Sequence, residues 1–249
     1  MKKITLYVLL GLAAYAGFLV WTFPAQRAMS MVQAQVPQLR VAGVSGTAWS
    51  GRVATLQIEG QNFRRFKWQF SPFGLLVGRV EFDISFDGDG RRADGTLGLR
   101  SDGAVVFNDF SAKLPIADID QYFGLGIVSL KGLVELELEE LVLMGNKPLF
   151  AEGLVYWRQA AVETPVAQTL GDYSATLSTD DNGINVQLKD DGGPLQLDGS
   201  ALLAGDGAYS VNVMASVRDS KEKMLLKGLQ TIGEQQPDGR YVLKLTGKL

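Results

Sequence analysis

Polar and apolar residues alternate along much of the chain after residue 39. Arg79 to Phe86 reads RVEFDISF and Val134 to Glu139 reads VELELE, so every second side chain is apolar. Alternation with one polar face is typical of half-buried antiparallel strands. The alternation slips by one residue at Glu139 and Glu140, which predicts a β-bulge or a turn there.

Asp-Gly and Asn-Gly pairs, which are strong hairpin signals, separate these runs at short intervals. They stand at Asp87 to Gly90, Asp94-Gly95, Asp102-Gly103, Gly145-Asn146, Asn182-Gly183, Asp191 to Gly193, Asp206-Gly207 and Asp238-Gly239. We therefore predict a mainly β protein, with a long, curved antiparallel sheet built as a meander of hairpins. Asp180 to Gly183 also begins like a calcium-binding loop, but the glutamate needed at the twelfth position is absent, which favours a hairpin turn.

A few segments have helical patterns instead. Pro24 to Val36 has apolar residues at helical spacing and is ended by Pro37. Short helices are also predicted at Pro115 to Phe123, Pro165 to Leu170 and Ser220 to Ile232. We interpret them as caps on open ends of the sheet, and partner-binding helices are the alternative.

The N-terminus carries a long apolar run. Ile4 to Phe23 contains 20 residues without a charge. A helix of about 20 apolar residues crosses the hydrocarbon core of a bilayer, whereas the apolar part of a cleaved signal peptide has only about 7–15. The length favours an uncleaved transmembrane helix, and cleavage near the small residues Ala14 and Ala16 is the alternative.

Basic residues flank the run unequally. Lys2 and Lys3 precede it and Arg27 follows it, so the positive-inside rule puts the N-terminus in the cytoplasm. The predicted segments are a cytoplasmic N-terminus (1–3), a transmembrane helix (4–23), a short helical linker (24–38) and a β-domain (39–249).

The composition of the outer part restricts its compartment and partners. Without Lys2, Lys3 and Arg27, 21 of the 24 basic residues remain against 27 acidic ones, a net charge of −6. An acidic surface gives no electrostatic reason to bind nucleic acid. The chain also has no cysteine, so an exported domain must rely on its core instead of disulfides. We predict the inner membrane of a Gram-negative bacterium, with the β-domain in the periplasm.

A faint internal repeat divides the β-domain. Trp68 and Trp157 each follow a glycine-marked strand, at Gly46 and Gly132, with offsets of 89 residues for the tryptophans and 86 for the glycines. Two copies of one β-unit stacked along an axis would explain these offsets. The predicted halves are residues 39–125 and 126–249.

Most catalytic and cofactor chemistry is unsupported. The chain has no histidine and no cysteine, which excludes Ser-His-Asp and Cys-His arrangements and the ordinary zinc sites. It also lacks the glycine-rich loop that cradles ATP phosphates. Glu135, Glu137 and Glu139 share one strand face, which is the pattern of a solvated face and not of a paired acid and base. We predict no enzyme activity and no cofactor or metal.

The segment from Gly46 to Trp68 carries a family resemblance. It reads G-T-x-W-x-G, then eleven residues, an apolar residue, four residues and W, which resembles the signature of the type II secretion system protein N family. The motif residues are Gly46, Thr47, Trp49, Gly51, Phe63 and Trp68. The family usually has leucine in place of Ala48 and Phe63, and the remainder of the chain is similar to the family as well.

The resemblance implies a single-span inner-membrane protein with a periplasmic β-domain, in the machine that moves folded proteins across the outer membrane. It implies no catalytic residues. The motif is interpreted as a fold determinant in which Trp49 and Trp68 fill the core of a strand corner and Gly46 and Gly51 allow the turns. A docking patch for another secretion component is the alternative. The family is also distantly similar to AsmA-like proteins, which form long β-grooves.

Two functions follow as hypotheses. The first is an anchored protein that contacts other secretion components, either the inner-membrane platform or the periplasmic part of the outer-membrane channel, and assists assembly or function of the apparatus. The second is a carrier of lipid or another hydrophobic ligand, because a curled sheet with one apolar face can hold an acyl chain.

Overall fold

One antiparallel sheet makes up most of the molecule. The computed structural model describes residues 2–58, 61–118, 129–145, 147–164 and 167–248. Within these residues, fourteen strands lie side by side in the order β1 to β12, then β14, then β13. Each strand up to β12 pairs with the one before it in the chain, so the predicted meander of hairpins is confirmed.

The bounds of the elements are as follows. The strands are β1 (Arg40–Gly46), β2 (Ser50–Ile58), β3 (Gln61–Ser71), β4 (Arg79–Gly88), β5 (Arg91–Arg100), β6 (Val105–Pro115), β7 (Ser129–Met144), β8 (Lys147–Thr164), β9 (Gln168–Asp180), β10 (Gly183–Gly192), β11 (Leu195–Leu203), β12 (Ala208–Val217), β13 (Glu234–Gln235) and β14 (Tyr241–Lys248). The described helices are α1 (Lys2–Trp21), α2 (Ala25–Gln35) and α3 (Lys223–Ile232), with 3₁₀ turns at Pro72–Val77 and Ile116–Asp118.

Aspartates close several hairpins through their own side chains. The carboxylates of Asp180, Asp206 and Asp238 each accept a hydrogen bond from the backbone N–H two residues on, at 2.8, 2.9 and 3.0 Å respectively. Hydrogen bonds to these carboxylates hold their pKa values below the usual range. Asp180 thus closes the β9–β10 hairpin, as the turn interpretation of its sequence predicted.

One predicted turn is wrong. Asp94 and Gly95 lie within β5, where the pairing with β6 shifts between Asp94 and Thr96. Gly95 has φ +155°, and a Cβ there would lie 2.7 Å from the Cα of Phe110 on β6. The Asp-Gly pair marks a bulge at which two backbones approach closely, so a glycine was needed for a reason other than a hairpin.

The predicted irregularity at Glu139 is confirmed as a bulge. Leu138 pairs with Gly153 on β8, whereas Glu140 pairs with Glu152, so Glu139 has no opposite residue on β8. β7 is longer than the alternating run, and its buried residues Val134, Leu138 and Val142 are four positions apart along the strand.

The helix predictions have mixed outcomes. The helices predicted in Pro24 to Val36 and in Ser220 to Ile232 are confirmed as α2 and α3. The helix predicted over Pro165 to Leu170 is wrong, because Gln168 already begins β9 and pairs with Val162 of β8, and residues 165–166 lie outside the described residues. Of the segment Pro115 to Phe123, the structure describes the 3₁₀ turn at 116–118, and residues 119–123 lie outside the described residues.

The buried side chains gather in separate clusters along the sheet. One cluster joins Ala25 of α2 to Val53 and Trp68, and another lies in the middle strands around Val106. A third packs α3 against the other end, where its members are Leu195, Ala215, Leu225, Leu229 and Tyr241. The two confirmed short helices therefore cover apolar parts of the sheet at its first and last strands.

The N-terminal helix α1 makes little contact with the sheet through its side chains. Its exposed large apolar residues include Leu6, Tyr7, Leu9, Leu10, Leu12, Tyr15, Phe18, Leu19, Val20 and Trp21. Among the residues that the structure describes, no helix combines the length and the hydropathy of a membrane span.

Candidate functional site

The motif segment forms a corner between the first two strands. Gly46 ends β1 with φ +99°, and a Cβ there would lie 2.7 Å from the Cα of Gly51. The N–H of Thr47 donates to the carbonyl of Ser50 at 2.8 Å, and the N–H of Ser50 donates to the Thr47 hydroxyl at 3.2 Å. These bonds close a tight turn that a side chain at position 46 would obstruct.

Trp68 lies buried beneath this corner. It pairs directly with Gly51 across β2 and β3, and a Cβ on Gly51 would lie 2.7 Å from Cη2 of the indole ring. The indole N–H donates to the carbonyl of Ala48 at 3.0 Å. The bare backbone of Gly51 makes room for the ring, and the hydrogen bond to Ala48 fixes how the ring is turned.

Trp49 occupies the outer side of the corner and is half-buried. Its indole N–H donates to the carbonyl of Val20 in α1 at 2.7 Å. Its ring meets Phe70 edge-on with centroids 5.1 Å apart, and the N–H of Phe70 donates to the carbonyl of Trp49 at 2.6 Å. The two motif tryptophans thus have different positions, because Trp68 packs in the core and Trp49 bridges α1 to the sheet.

Backbone contacts strengthen the same bridge. The N–H of Ala48 donates to the carbonyl of Phe23 at 2.8 Å, and Pro24 forms an antiparallel bridge with Thr47. Ala25, the first residue of α2, is fully buried beside Val53 and Trp68. The end of α1 is therefore held at the corner by several bonds in addition to its covalent connection.

The two positions at which the family usually has leucine are only partly buried. Ala48 lies in the turn and contributes its carbonyl to Trp68 and its N–H to Phe23. Phe63 meets Phe86 of β4 edge-on, with ring centroids 4.9 Å apart. Both positions are therefore occupied by contacts within the sheet, and Phe63 packs on an aromatic partner other than the motif tryptophans.

A groove of about 780 Å³ crosses β1 to β5 at this corner. Arg52, Lys67, Asp83 and Asp94 line it with charges of both signs, and the motif glycines border it. Arg52 and Lys67 alternate with core residues along their strands, so they lie on the face opposite Trp68. Asp83 accepts a hydrogen bond from Thr96 at 2.9 Å. A groove of mixed charge suits a polar segment of another protein.

The second half of the sheet contains a similar tryptophan. Trp157 on β8 donates its indole N–H to the carbonyl of Lys131 at 3.1 Å, and a Cβ on Gly132 would lie 2.8 Å from that nitrogen. The tryptophan-on-glycine arrangement thus recurs, with Gly51 and not Gly46 as the counterpart of Gly132. The division at residues 125 and 126 falls outside the described residues and stays a prediction.

A smaller cavity of about 490 Å³ lies between α3 and the later strands of the sheet. Its lining residues include Leu170, Leu195, Met224, Leu229 and Ile232, with Lys227 as a charged member. In the part of the chain that the structure describes, no group of three or more acidic residues is arranged to hold a metal ion.

The comparisons with known proteins assign the chain to a family. The family model for type II secretion system (T2SS) protein N matches residues 37–244, from just before β1 into β14. The chain belongs to the T2SS protein N family. Type II secretion system protein N of Aeromonas hydrophila is similar, at 25% identity over the whole of both chains. The protein of the same name from Vibrio cholerae serotype O1 is 24% identical, also over the full length of both. No solved structure matches the chain.

The sequence identified the motif of this T2SS protein N family member, but two features of its corner were missed: the bond from Trp49 to Val20 and the charged groove. The bond from Trp49 to Val20 joins residues 29 positions apart, and no local periodicity predicts it. The charged groove was also missed, although alternation on β2 and β3 places Arg52 and Lys67 on one face. The available signal for the corner was a glycine beside each tryptophan: Gly51, which pairs with Trp68, and Gly132, which lies close to the indole nitrogen of Trp157.

Proposed function

We propose that the protein is a component of the type II secretion system that acts by binding other components of that apparatus and has no catalytic role. The observation that carries the proposal is the family match, which extends over nearly the entire sheet. The relatives that match over their full length are both named for this secretion system. The function we assign is assistance in assembly or operation of the apparatus that exports folded proteins.

We further propose that Ile4 to Phe23 anchors the protein in the inner membrane. The proposal is supported by the absence of charges from this run and by the many exposed apolar side chains of α1. A helix that is apolar on all sides is stabilised when a membrane or a protein core covers it. Lys2 and Lys3 before the run support the proposal that the N-terminus is cytoplasmic and the sheet periplasmic, because basic residues favour the cytoplasmic side of a membrane span.

The charged groove at the motif corner is our candidate for the contact surface. Exposed Arg52 and Lys67 on neighbouring strands, with Asp83 and Asp94 across the groove, offer complementary positions to a polar partner segment. The partners we expect are the inner-membrane platform or the periplasmic part of the outer-membrane channel. The groove lies at the corner that holds α1, so the proposed anchor would bring it close to the membrane.

Co-purification tests this proposal. We expect full-length protein, extracted from membranes in a mild detergent that preserves the platform, to retain at least one other secretion component. An Arg52→Glu, Lys67→Glu variant should lose most of that component, whereas Lys244→Glu, an exposed change on β14, should retain it. Recovery of the wild-type chain alone would contradict the proposal. Equal retention of that component by both variants would contradict the groove as the contact surface.

The cavity under α3 supports a second candidate, a carrier of an acyl chain or similar ligand. A volume of about 490 Å³ is within the range of roughly 300–1,000 Å³ for small-molecule sites. Native mass spectrometry of the full chain would then show an added lipid mass. Gly228 lines this cavity and has open space at its Cβ position, so Gly228→Leu should lower the bound fraction. Gly205→Leu, with similar space in the β11–β12 turn, is the matched control, and a bare wild-type mass would argue against this candidate.

A further inference from the structure

An apolar tip projects from the sheet between β3 and β4. It is the 3₁₀ turn Pro72–Val77, in which Phe73, Leu75, Leu76 and Val77 are all exposed. Phe73 is 76% exposed and Leu76 is 83% exposed. Monomeric soluble proteins rarely expose contiguous apolar patches of this kind without a binding function.

The tip is held in place by its own backbone. Pro72 begins the turn, and Gly78 ends it in the left-handed conformation with φ +72°. Gly74 is buried, and a Cβ there would lie 2.6 Å from Cγ of Glu81 on β4. Because the middle of the turn packs on β4, its large side chains are presented outward on a fixed support.

The tip lies at the end of the sheet where α1 is attached. The β1–β2 turn with Trp49 and the β3–β4 turn are at the same end, because β2 and β3 are antiparallel neighbours. Contacts connect the two points: Val20 accepts from the Trp49 indole, Trp49 meets Phe70, and Phe70 lies two residues before Pro72. Neighbouring strands are about 4.8 Å apart, so the tip is close to the end of α1.

Further exposed apolar residues lie at this end of the sheet. Val80 and Leu99 pair with each other at the start of β4 and the end of β5, and both are exposed. Met144 and Leu149 are exposed beside the β7–β8 turn, which is at the same end of the sheet. Exposed apolar residues therefore lie at the same end of β4, β5, β7 and β8 as the tip, and the exposed Arg100–Asp102 ion pair of the β5–β6 turn separates the two groups.

We propose that the tip, residues 72–77, inserts into the membrane leaflet from which α1 emerges, so that a lipid surface is its partner. This rests on the proposed membrane anchor, because the end of α1 at Val20 fixes where the bilayer surface meets the sheet. Apolar side chains on a fixed support enter the boundary between headgroups and acyl chains when they are presented to it. Two points of attachment, the anchor and the tip, hold the sheet in one orientation on the membrane.

The chain has no cysteine, so single labels test the proposal directly. Full-length variants Leu76→Cys, Ala14→Cys and Lys221→Cys would each carry an environment-sensitive fluorophore. They would be reconstituted in vesicles of phosphatidylethanolamine and phosphatidylglycerol at a ratio of about 3:1. Lys221 is exposed at the opposite end of the sheet, beside α3. We expect a blue shift and quenching by brominated lipid for the labels at positions 14 and 76, and neither for the label at 221.

The outcomes separate the two proposals. A label at 14 that is quenched while the label at 76 reports water overturns the tip insertion and leaves the anchor intact. A label at 76 that is shielded but not quenched shows a protein contact and also overturns it. Quenching at 76 without quenching at 14 overturns the anchor but supports the lipid contact of the tip, and quenching at neither position overturns both.

A second variant checks that apolar character is responsible. In a chain labelled through Val77→Cys, the changes Phe73→Ser and Leu76→Ser should reduce quenching several-fold. Because both side chains are exposed, the thermal unfolding of the sheet should stay unchanged. Leu245→Ser, an exposed apolar change on β14 among the last strands of the sheet, should leave the quenching as it was. Unchanged quenching in the double serine variant would overturn the proposal.

Discussion

The indole ring of Trp68 covers the Cα of Gly51 on the neighbouring strand and fills the space that a side chain at position 51 would need. Gly51→Ala should therefore lower the free energy of unfolding by about 2 kcal/mol, the usual cost of overpacking. Denaturant unfolding followed by tryptophan fluorescence measures it. Gly228→Ala in α3, where a Cβ meets nothing within 4 Å, should leave stability unchanged or raised. Equal stability of Gly51→Ala and wild type would contradict the proposed role of this glycine.

The bond from Trp49 to Val20 predicts a local effect. Trp49→Phe retains an aromatic ring beside Phe70 but removes the N–H that reaches α1. We expect faster hydrogen exchange at the N–H of Ala48, which donates to Phe23 in the same bridge, with a global stability loss of only about 1 kcal/mol. Trp157→Phe removes a comparable indole bond to Lys131 and serves as the control. Exchange at Ala48 that responds equally to both substitutions would show that the bridge is not held by Trp49.

The packing of α3 distinguishes its inner and outer faces. Leu229 belongs to the buried cluster under the helix, so Leu229→Ala should destabilise the sheet by about 3 kcal/mol. Ile232, three residues on, is 70% exposed, and Ile232→Ala should change stability by less than about 0.5 kcal/mol. Chemical unfolding of both variants checks this. A small effect at Leu229 would mean that α3 is not needed to close the end of the sheet.

Arg91 and Asp118 form a mostly buried ion pair. Two guanidinium nitrogens reach the carboxylate at 2.5 and 2.6 Å, and this hydrogen bonding holds the pKa of Arg91 above its usual value. Asp118→Asn should cost about 3 kcal/mol because it leaves a charge without its partner. Asp87→Asn, in a pair with Arg65 in which both side chains are well exposed, should cost less than about 1 kcal/mol. Similar losses in thermal unfolding for both would contradict this interpretation.

Tyr173 predicts a loss of stability in alkali. Its phenol is buried and donates to the carbonyl of Leu195 at 2.9 Å. Burial, followed by the charge of Asp190, raises the pKa of Tyr173 above its usual value. The folded state therefore keeps this proton to a higher pH than the unfolded chain, which releases it at about pH 10. The contribution of the protonated Tyr173 to the free energy of unfolding is fully present below that pH, and it is lost as the pH rises towards the pKa of Tyr173 in the folded state.

The free energy of unfolding of wild type and Tyr173→Phe, measured from about pH 8 to about pH 11, tests this. The phenylalanine variant should be less stable at the lower pH, because the bond to Leu195 is lost, and its stability should fall less steeply in alkali. Tyr209→Phe, on β12, controls for removal of a phenol elsewhere in the sheet. Parallel pH profiles for wild type and Tyr173→Phe would contradict the prediction.

The strands were predictable because period 2 is a local signal that one strand contains by itself. Local signals failed where pairing between strands decided the structure. Gly95 has the positive φ that a turn also requires, but its role is to let Phe110 approach within the sheet. Gln168 follows a proline that favoured a helix, and its pairing with Val162 on β8 outweighed that tendency.

The candidate site was only partly predictable for a related reason. The motif residues identified the corner, but the functions of its two tryptophans differ through partners that are distant in sequence. Trp68 bonds to Ala48, 20 residues away, and Trp49 to Val20, 29 residues away. The exposure of the apolar side chains from Pro72 to Val77 could not be predicted from the sequence, because apolar runs are usually buried.

The order of the strands has a consequence for how the chain folds. From β1 to β12 each strand finds its partner in the strand just completed, so each pairing closes only a short loop and has a small entropic cost. The sheet can grow from its first hairpin in the direction of synthesis, without waiting for distant segments. Only β14 must pass the segment of α3 and β13 before it joins β12. Completion of the last strands should therefore be the late step in folding, and shortening the chain from its C-terminus should leave the motif corner able to form.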